Sequence, residues 1–414
     1  MNKSMSPTIE SNSLRKPALV FVVVLVATSL GLPTRADDAK ALIQLVGTVR
    51  IDGSISDQSG LSARLEDGSR SELFGGLSAI DYVGADSRFL LLSDRGAGDG
   101  AVSFPCRFHE ARLALKSTGG DIEFELLGTT LLTTPTGTSL VGSLTALAED
   151  QARAASSDKV TPWTALDPEG LRRLNDGTLV VTDEYGPRVV VFDVSGRLLN
   201  SFNAPNKFEL LAPVDGKYER GTFPNRGLEG IAVTPSGQRF VAVLQSPLVQ
   251  DGKIKGDKCL GLNCRWMVFD ANRNCEREVV YQLESLKTGV SEVLAVSETK
   301  FLVLERDSEI GQDAKIKRIY LADISTASDA ASIDSLPQKD LPKDFVPVSK
   351  RLLFDLLDDR FGIGGNRAAE KPEGLSWGPP LADGRKTLWI CCDNDFDPKV
   401  KSEIYCFAVP DSAL

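Results

Sequence analysis

Histidine is almost missing from this chain. One residue, His109, serves all 414 positions. That rules out a histidine-ligated metal centre, which needs several imidazoles, and leaves no second histidine for a relay. Seven cysteines are present, but no two are spaced Cys-x-x-Cys, so a structural zinc site has no anchor. His109 has no serine or cysteine nucleophile motif beside it and reads as a structural residue. Excess positive charge is lacking too: 47 Lys and Arg stand against 57 Asp and Glu, for a net charge of −10. An acidic chain disfavours nucleic acid as a partner. Long apolar runs are missing except for residues 18–32.

That one run sits behind Lys3, Arg15 and Lys16 and is followed by Pro33-Thr-Arg-Ala36, a small residue at the end of a cleavage site. Residues 1–36 therefore read as a secretory signal peptide; the run is short for a membrane span. Removing them takes away four basic residues and one acid and moves the net charge to −13. The expected location is extracytoplasmic, periplasmic or secreted, with no membrane attachment beyond the signal peptide. In an oxidising compartment cysteines pair. Cys259 with Cys264 is the expected bridge, and Cys391 or Cys392 can reach Cys406. Cys106 and Cys275 remain, and the odd count leaves one thiol over.

What is present is a repeat. The stretch Asp167-Pro-Glu-Gly-Leu-Arg-Arg-Leu-Asn-Asp-Gly-Thr-Leu-Val-Val-Thr-Asp-Glu184 reads as one hairpin. Asn175-Asp-Gly177 tolerates left-handed backbone and makes the turn, and 178–182 is a β-rich apolar run. Glu229-Gly-Ile-Ala-Val followed by 240–244 repeats the plan, and so does Glu373-Gly-Leu-Ser-Trp followed by 387–393. Two degenerate copies complete the set. One is Gly75-Gly-Leu-Ser-Ala-Ile before 89–95, with Gly75 in the Glu place. The other is Ser291-Glu-Val-Leu-Ala-Val before 301–306, with Val293 in the Gly place. Further apolar stretches at 189–192, 266–269, 317–321 and 403–407 bring each unit to about four strands, the size of a propeller blade. The expected fold is all-β: a six-bladed β-propeller of four-stranded blades, with the strands around 41–50 closing the sixth. Residues 37–414 form its single domain, and a monomer is expected. A short helix is expected over 143–155.

A residue type repeated at one blade position forms a ring round the central channel. Glu169, Glu229 and Glu373 make that ring, with Glu292 a fourth, and Asp94, Asp183, Glu184 and Asp393 come from the loops behind it. So many carboxylates cannot all ionise together without a cation. Oxygen ligands without histidine select a hard ion, and calcium accepts many carboxylates in irregular geometry. Glu169, Asp183, Glu184, Glu229, Glu373, Asp94 and Asp393 are the candidate metal ligands. Arg95, Arg188, Arg226, Arg306 and Lys371 stand beside the acids and are candidates for binding a phosphate group. Glu169 and Glu229 are candidates for accepting the proton from an attacking water.

Asp167-Pro-Glu-Gly-Leu, Thr182-Asp-Glu-Tyr-Gly-Pro, Asn225-Arg-Gly-Leu-Glu-Gly-Ile-Ala, Leu304-Glu-Arg-Asp and Lys371-Pro-Glu-Gly-Leu-Ser-Trp resemble the phytase-like domain family, named for the esterase-like activity of phytase. Ser93-Asp-Arg-Gly and Cys392-Asp-Asn-Asp-Phe396 fit the same pattern, so the resemblance runs in order over about 60–410. It implies a secreted or periplasmic propeller acting on a small-molecule phosphate ester with calcium. Gly75, Ser291-Glu-Val and Gln245 depart from the pattern and argue against a symmetric multi-metal channel. The repeat is also similar to gluconolactonase-type propellers, which implies metal-dependent lactone or ester hydrolysis. A non-catalytic propeller that binds a partner on its face is the third possibility.

Overall fold

The computed structural model describes residues 42–414 apart from Thr118, 157–162, Ala212 and Asp215. The proposed signal peptide lies outside the described residues. Strand β1 (Gln44–Ile51) comes first and is used last. The chain then lays down a four-stranded antiparallel meander, β2 (Leu77–Tyr82), β3 (Arg88–Ser93), β4 (Arg107–Leu115) and β5 (Gly120–Leu131). Helix α1 (Leu144–Ser156) follows, one residue displaced from the expected 143–155. The second meander is β6 (Pro168–Arg173), β7 (Leu179–Asp183), β8 (Arg188–Phe192) and β9 (Leu198–Asn203). The third begins with β10 (Leu228–Val233) and β11 (Arg239–Leu244). It then inserts a small hairpin, β12 (Lys253–Lys255) and β13 (Lys258–Leu260), before β14 (Asn263–Asp270) and β15 (Cys275–Gln282). The fourth is β16 (Gly289–Ala295), β17 (Lys300–Arg306), β18 (Lys317–Asp323) and β19 (Ser349–Asp355). The fifth supplies only β20 (Lys371–Gly378), β21 (Lys386–Asp393) and β22 (Ser402–Val409).

β1 is the missing fourth strand of that last unit. It pairs antiparallel with β22 from Gln44 opposite Ala408 to Ile51 opposite Ser402. It also meets β5 of the first unit, in parallel, at Gly47 and Thr48. The fold is thus the expected β-propeller of four-stranded blades. The expectation of a sixth blade is corrected: the N-terminal strand completes the fifth, and the described residues form five blades. Their innermost strands β2, β6, β10, β16 and β20 neighbour one another in a closed ring.

Blades stacked side by side bury both faces of each sheet, which is why the strands read as unbroken apolar runs. In β3, Phe89 and Leu91 pack toward the fifth blade with Trp389, Cys391 and Cys406. Leu90 and Leu92, of opposite parity, pack toward the second blade with Leu171, Leu179 and Val181. Parity also decides the cysteines. Cys391 and Cys392 point to opposite faces of β21, Cys392 lying with the core shared with the fourth blade. Cys406 lies opposite Trp389 rather than either cysteine. Cys259 is on the inserted hairpin and Cys264 on β14, where its thiol donates to Leu244 O. All seven cysteines are free, so the expected disulfides are not formed.

Candidate functional site

Each innermost strand carries a β-bulge at the same place. In β6, Pro168 pairs with Asp183 and Leu171 with Val181, so Glu169 and Gly170 together face Thr182. In β10, Glu229 and Gly230 stand in the same relation to Val243, and in β20 Glu373 is the extra residue between the Pro372 and Gly374 pairs. Ser78 in β2 and Ser291 in β16 occupy the same step. A bulge re-aims a side chain out of the ladder. The bulged residues form a ring of Ser78, Glu169, Glu229, Ser291 and Glu373.

A second ring comes from the neighbouring strand of each blade, one residue beyond the ladder pair that flanks the bulge on its channel side. Ser93, Asp183, Leu244, Glu305 and Cys392 belong to those flanking pairs. Asp94, Glu184, Gln245, Arg306 and Asp393 come next. All five of these line one cavity of about 410 Å³, with Ser78, Glu169, Glu229 and Glu373 of the first ring. Nine carboxylate side chains line it against four cationic ones, Arg95, Arg226, Arg306 and Lys371.

The fourth blade breaks the pattern usefully. Arg306 stands where the others place an acid or amide. Its Nε donates to Ser291 Oγ at 3.0 Å, and its Nη2 ion-pairs with Glu373. Lys371 bridges Asp393 and Asp395. Gln245 donates to Glu229 Oε1 and accepts from Arg226. Glu292 was expected in the ring and is not there. It fills the step after the bulge, where Oε1 accepts the N–H groups of Ile231 and Val293 and Oε2 lies 3.0 Å from Arg172. Arg172 also donates to Ile80 O and Val293 O, so this buried pair ties strands of four blades together farther along the channel.

Asp167, Glu169 and Glu184 each bring one carboxylate oxygen within 4.8 Å of the others. Arg95 pairs with Asp167 and, at 3.2 Å, with Glu184. Asp167 Oδ1 is buried without a hydrogen-bond partner, and Glu169 has no hydrogen bond among the described residues. Three carboxylates facing one guanidinium leave room for two positive charges, and the set is all oxygen. A hard divalent cation fits it. The carboxyls register the crowding. Burial, then Glu229 and Asp167, hold Glu169 well above the usual range. Burial and Asp393 do the same to Asp94, and burial with Glu184 and Glu373 to Glu229. Glu184 is pushed up to about 7 by burial and by Asp167. Burial also raises Asp393 to about 6, against the pull of Lys371.

Asp183 and Arg188 are not brought to the cavity. Asp183 Oδ1 accepts the N–H of Asp167 at 2.9 Å and of Tyr185 at 3.1 Å, and Oδ2 takes Arg188 Nε at 2.6 Å. Arg188 lies 3.7 Å over the Trp163 ring, in a separate cleft beside α1. Asp183 is a fastener that ties down the backbone at Asp167 and at Tyr185, the residue after Glu184. Asp167 itself is the ligand candidate that sequence reasoning passed over. Its signal is its place two residues before Glu169, which in extended backbone directs both side chains to one side. Gly374-Leu-Ser-Trp-Gly378 spells G-x-S-x-G, but Ser376 sits inside β20. Its hydroxyl donates to Trp377 O and accepts from Tyr82 N–H, so it is no exposed nucleophile. His109 is buried in the first blade between Ser93 and Thr129.

Among curated proteins, an uncharacterized secreted protein of Arthroderma benhamiae (strain ATCC MYA-4681 / CBS 112371) is 26% identical over 245 residues, covering 47% of this chain and 48% of the relative. The chain thus matches about half the length of that relative. Among solved structures, virginiamycin B lyase from Staphylococcus aureus is 10% identical with a TM-score of 0.32, covering 88% of this chain and 99% of that one. A PQQ-bound aldose sugar dehydrogenase from Streptomyces coelicolor is also 10% identical with a TM-score of 0.32, covering 85% and 83%. Likenesses this distant carry no argument about chemistry. The model of the Phytase-like family, described as esterase-like activity of phytase, matches residues 72–396, which hold both rings, and the chain belongs to that family.

Proposed function

We propose that the protein is an exported, calcium-dependent hydrolase of small-molecule phosphate esters. The observation that carries this is the carboxylate trio Asp167, Glu169 and Glu184, opposed by Arg95 and left with an unpartnered Asp167 oxygen. Asp167, Glu169 and Glu184 would hold the ion, with Asp94, Glu229, Glu373 and Asp393 in the rings round it. When bound, calcium supplies Lewis-acid polarisation of the phosphoryl oxygens. The other steps belong to the chain. Arg226 donates to the neutral Gln245 and forms no carboxylate ion pair among the described residues, which leaves its guanidinium to orient the phosphate. Arg306 and Lys371 offset its remaining charge. Glu229 accepts the proton of the attacking water: Gln245 holds its Oε1, and burial, which raises its pKa, makes it a stronger base than an ordinary carboxylate. Export rests on the leader-like residues 1–36 and on the secreted relative.

The test is hydrolysis of p-nitrophenyl phosphate and of a small lactone, with calcium and with EGTA. Phosphate-ester turnover should need calcium and fall about 10²-fold or more in Glu229→Gln, and Glu169→Gln should lose the calcium-stimulated turnover. Turnover that survives EGTA and both substitutions overturns the reading, and lactone turnover alone replaces the substrate class.

A further inference from the structure

The steps proposed for the channel leave Arg95 without a task, yet Arg95 holds two of the three trio carboxylates. Its Nη1 pairs with Asp167 Oδ2 and lies 3.2 Å from Glu184 Oε2. Glu184 Oε1 is taken as well, by the N–H of Gly227 at 2.8 Å. Glu184 therefore has no oxygen to spare. Asp167 Oδ1 and the Glu169 carboxylate, by contrast, accept no hydrogen bond among the described residues. All three acids become ligands together only where the guanidinium lets Glu184 go.

The guanidinium has a second place to rest. Its Nη2 already meets Asp99 Oδ1 at 3.1 Å, and the Asp99 side chain is 77% exposed, so that carboxylate can follow the arginine. Asp99 stands near the end of the loop 95–100, where Gly96, Gly98, Asp99 and Gly100 all have positive φ. The ends of the loop are fixed. A Cβ on Gly142 would run into the Arg95 carbonyl, and Leu144 N–H donates to Gly100 O at 2.9 Å. Movement then belongs to the Arg95 side chain rather than to its backbone. Two more buried polar atoms here have no partner, Arg95 Nε and the Tyr185 hydroxyl. A Cβ on Gly100 would touch both the Tyr185 hydroxyl and the Arg95 side chain. Buried donors left unmet cost free energy, which weakens the hold of the present arrangement.

We infer that Arg95 is a tethered stand-in for the metal: it occupies Glu184 in the metal-free protein and turns to Asp99 when the three carboxylates take a divalent cation. It thereby sets the concentration at which the site fills. The turn keeps the positive charge beside the acids, so three carboxylates then face one ion and one guanidinium. The inference rests on the divalent-cation reading of the trio and adds to it a role for Arg95 and Asp99.

The test reads binding rather than turnover. The whole protein is stripped with EGTA, exchanged into chelator-free buffer and titrated with calcium by calorimetry. Arg95→Met should bind calcium about tenfold more tightly or better. Asp99→Asn should bind it about fivefold more weakly. That loss should shrink to less than about twofold in Arg95→Met/Asp99→Asn, because Asp99 acts through the arginine. Asp99 is exposed, so its variant keeps the fold even where loss of the buried Arg95 does not. The calcium-bound structure of the parent is then the second measurement, with Arg95 expected on Asp99 and off Glu184. Calcium affinity unchanged in Arg95→Met, an Asp99→Asn loss that persists in full without Arg95, or a calcium-bound structure with Arg95 still on Glu184 would each overturn the exchange. A protein that binds calcium in this way but hydrolyses no ester loses the proposed reaction and keeps the exchange. Calcium-dependent hydrolysis with Arg95 unmoved does the reverse, so the two failures are distinct.

Discussion

Asp167, Glu169 and Glu184 share one space, and that sharing has a measurable consequence without any ligand. Glu184 and Glu292 are raised to about 7, and Asp183 and Asp393 to about 6, with burial the first cause in each case. Between the ordinary carboxylate range and pH 7 the folded, metal-free chain holds protons that the unfolded chain has released. Its stability therefore falls as pH rises through that window. Thermal unfolding in EGTA should give a lower Tm at pH 8 than at pH 5.5, and calcium should reverse the order, because it replaces the protons. A Tm in EGTA that rises over this interval would show that the carboxyls are compensated by other means. At this scale the sequence was half legible. It located the acids, but Asp183 and Glu184 are adjacent, and which one meets the channel depends on where the ladder ends. Asp183 closes the last pair, and Glu184 is the first residue beyond it.

The recurring Glu-Gly-Leu has two separable jobs within an inner strand. The bulge aims the glutamate, and the glycine lets the next inner strand pass. A Cβ on Gly170 would stand 2.8 Å from Glu229 O and Ile231 N, and one on Gly374 would stand 2.7 Å from Ile80 N. On Gly230 it would meet Glu292 Oε1 at 2.2 Å and Val293 N at 2.7 Å. Gly230 and Glu292 are thus complementary: the fourth blade puts a side chain where the third leaves none. Gly230→Ala should destabilise the fold by about 3 kcal/mol, seen as a lower urea midpoint. Gly128→Ala, with nothing within 4 Å of its added Cβ, should stay within about 0.5 kcal/mol of the parent. Equal midpoints for the two would remove close approach as the reason for the motif. This complementarity also explains why the degenerate copies misled. Read by letters, Glu292 matches the ring glutamates and Gly75 marks a gap. Read by bulges, Ser291 and Ser78 hold the ring step. A one-residue shift across a bulge leaves no trace in hydrophobic pattern, since both faces of these strands are buried.

Across the whole molecule, the ring is closed by a strand from the far end of the chain. Five inner strands were visible as five repeats, but the last repeat has only three strands of its own, and the strand at 44–51 had to belong somewhere. Counting it as a further blade overlooked that a lone strand satisfies neither its own backbone nor the edge of β22. In place, β1 pairs with β22 along its length and touches β5, with Gly47 packed under Leu115 and Ile122. The seam it holds runs between the blade of Asp393 and Glu373 and the blade of Asp94 and Arg95. Those blades are coupled at the site: the Asp393 charge helps raise the Asp94 carboxyl, and Asn394 Oδ1 accepts the N–H of Gly76 at 3.0 Å. A protein beginning at residue 52 should therefore lose two properties together. Its melting temperature should drop by roughly 10 °C or more as the edge of β22 opens, and its calcium affinity should fall although every ligand candidate remains in the chain. Adding a peptide of residues 42–51 should recover part of both. If the shortened protein melts like the parent but binds calcium less well, the strand acts on the site without closing the ring. If it melts lower but binds calcium as before, the carboxylate trio of the second blade is assembled independently of the seam, and the coupling between Asp94 and Asp393 has no part in holding the ion.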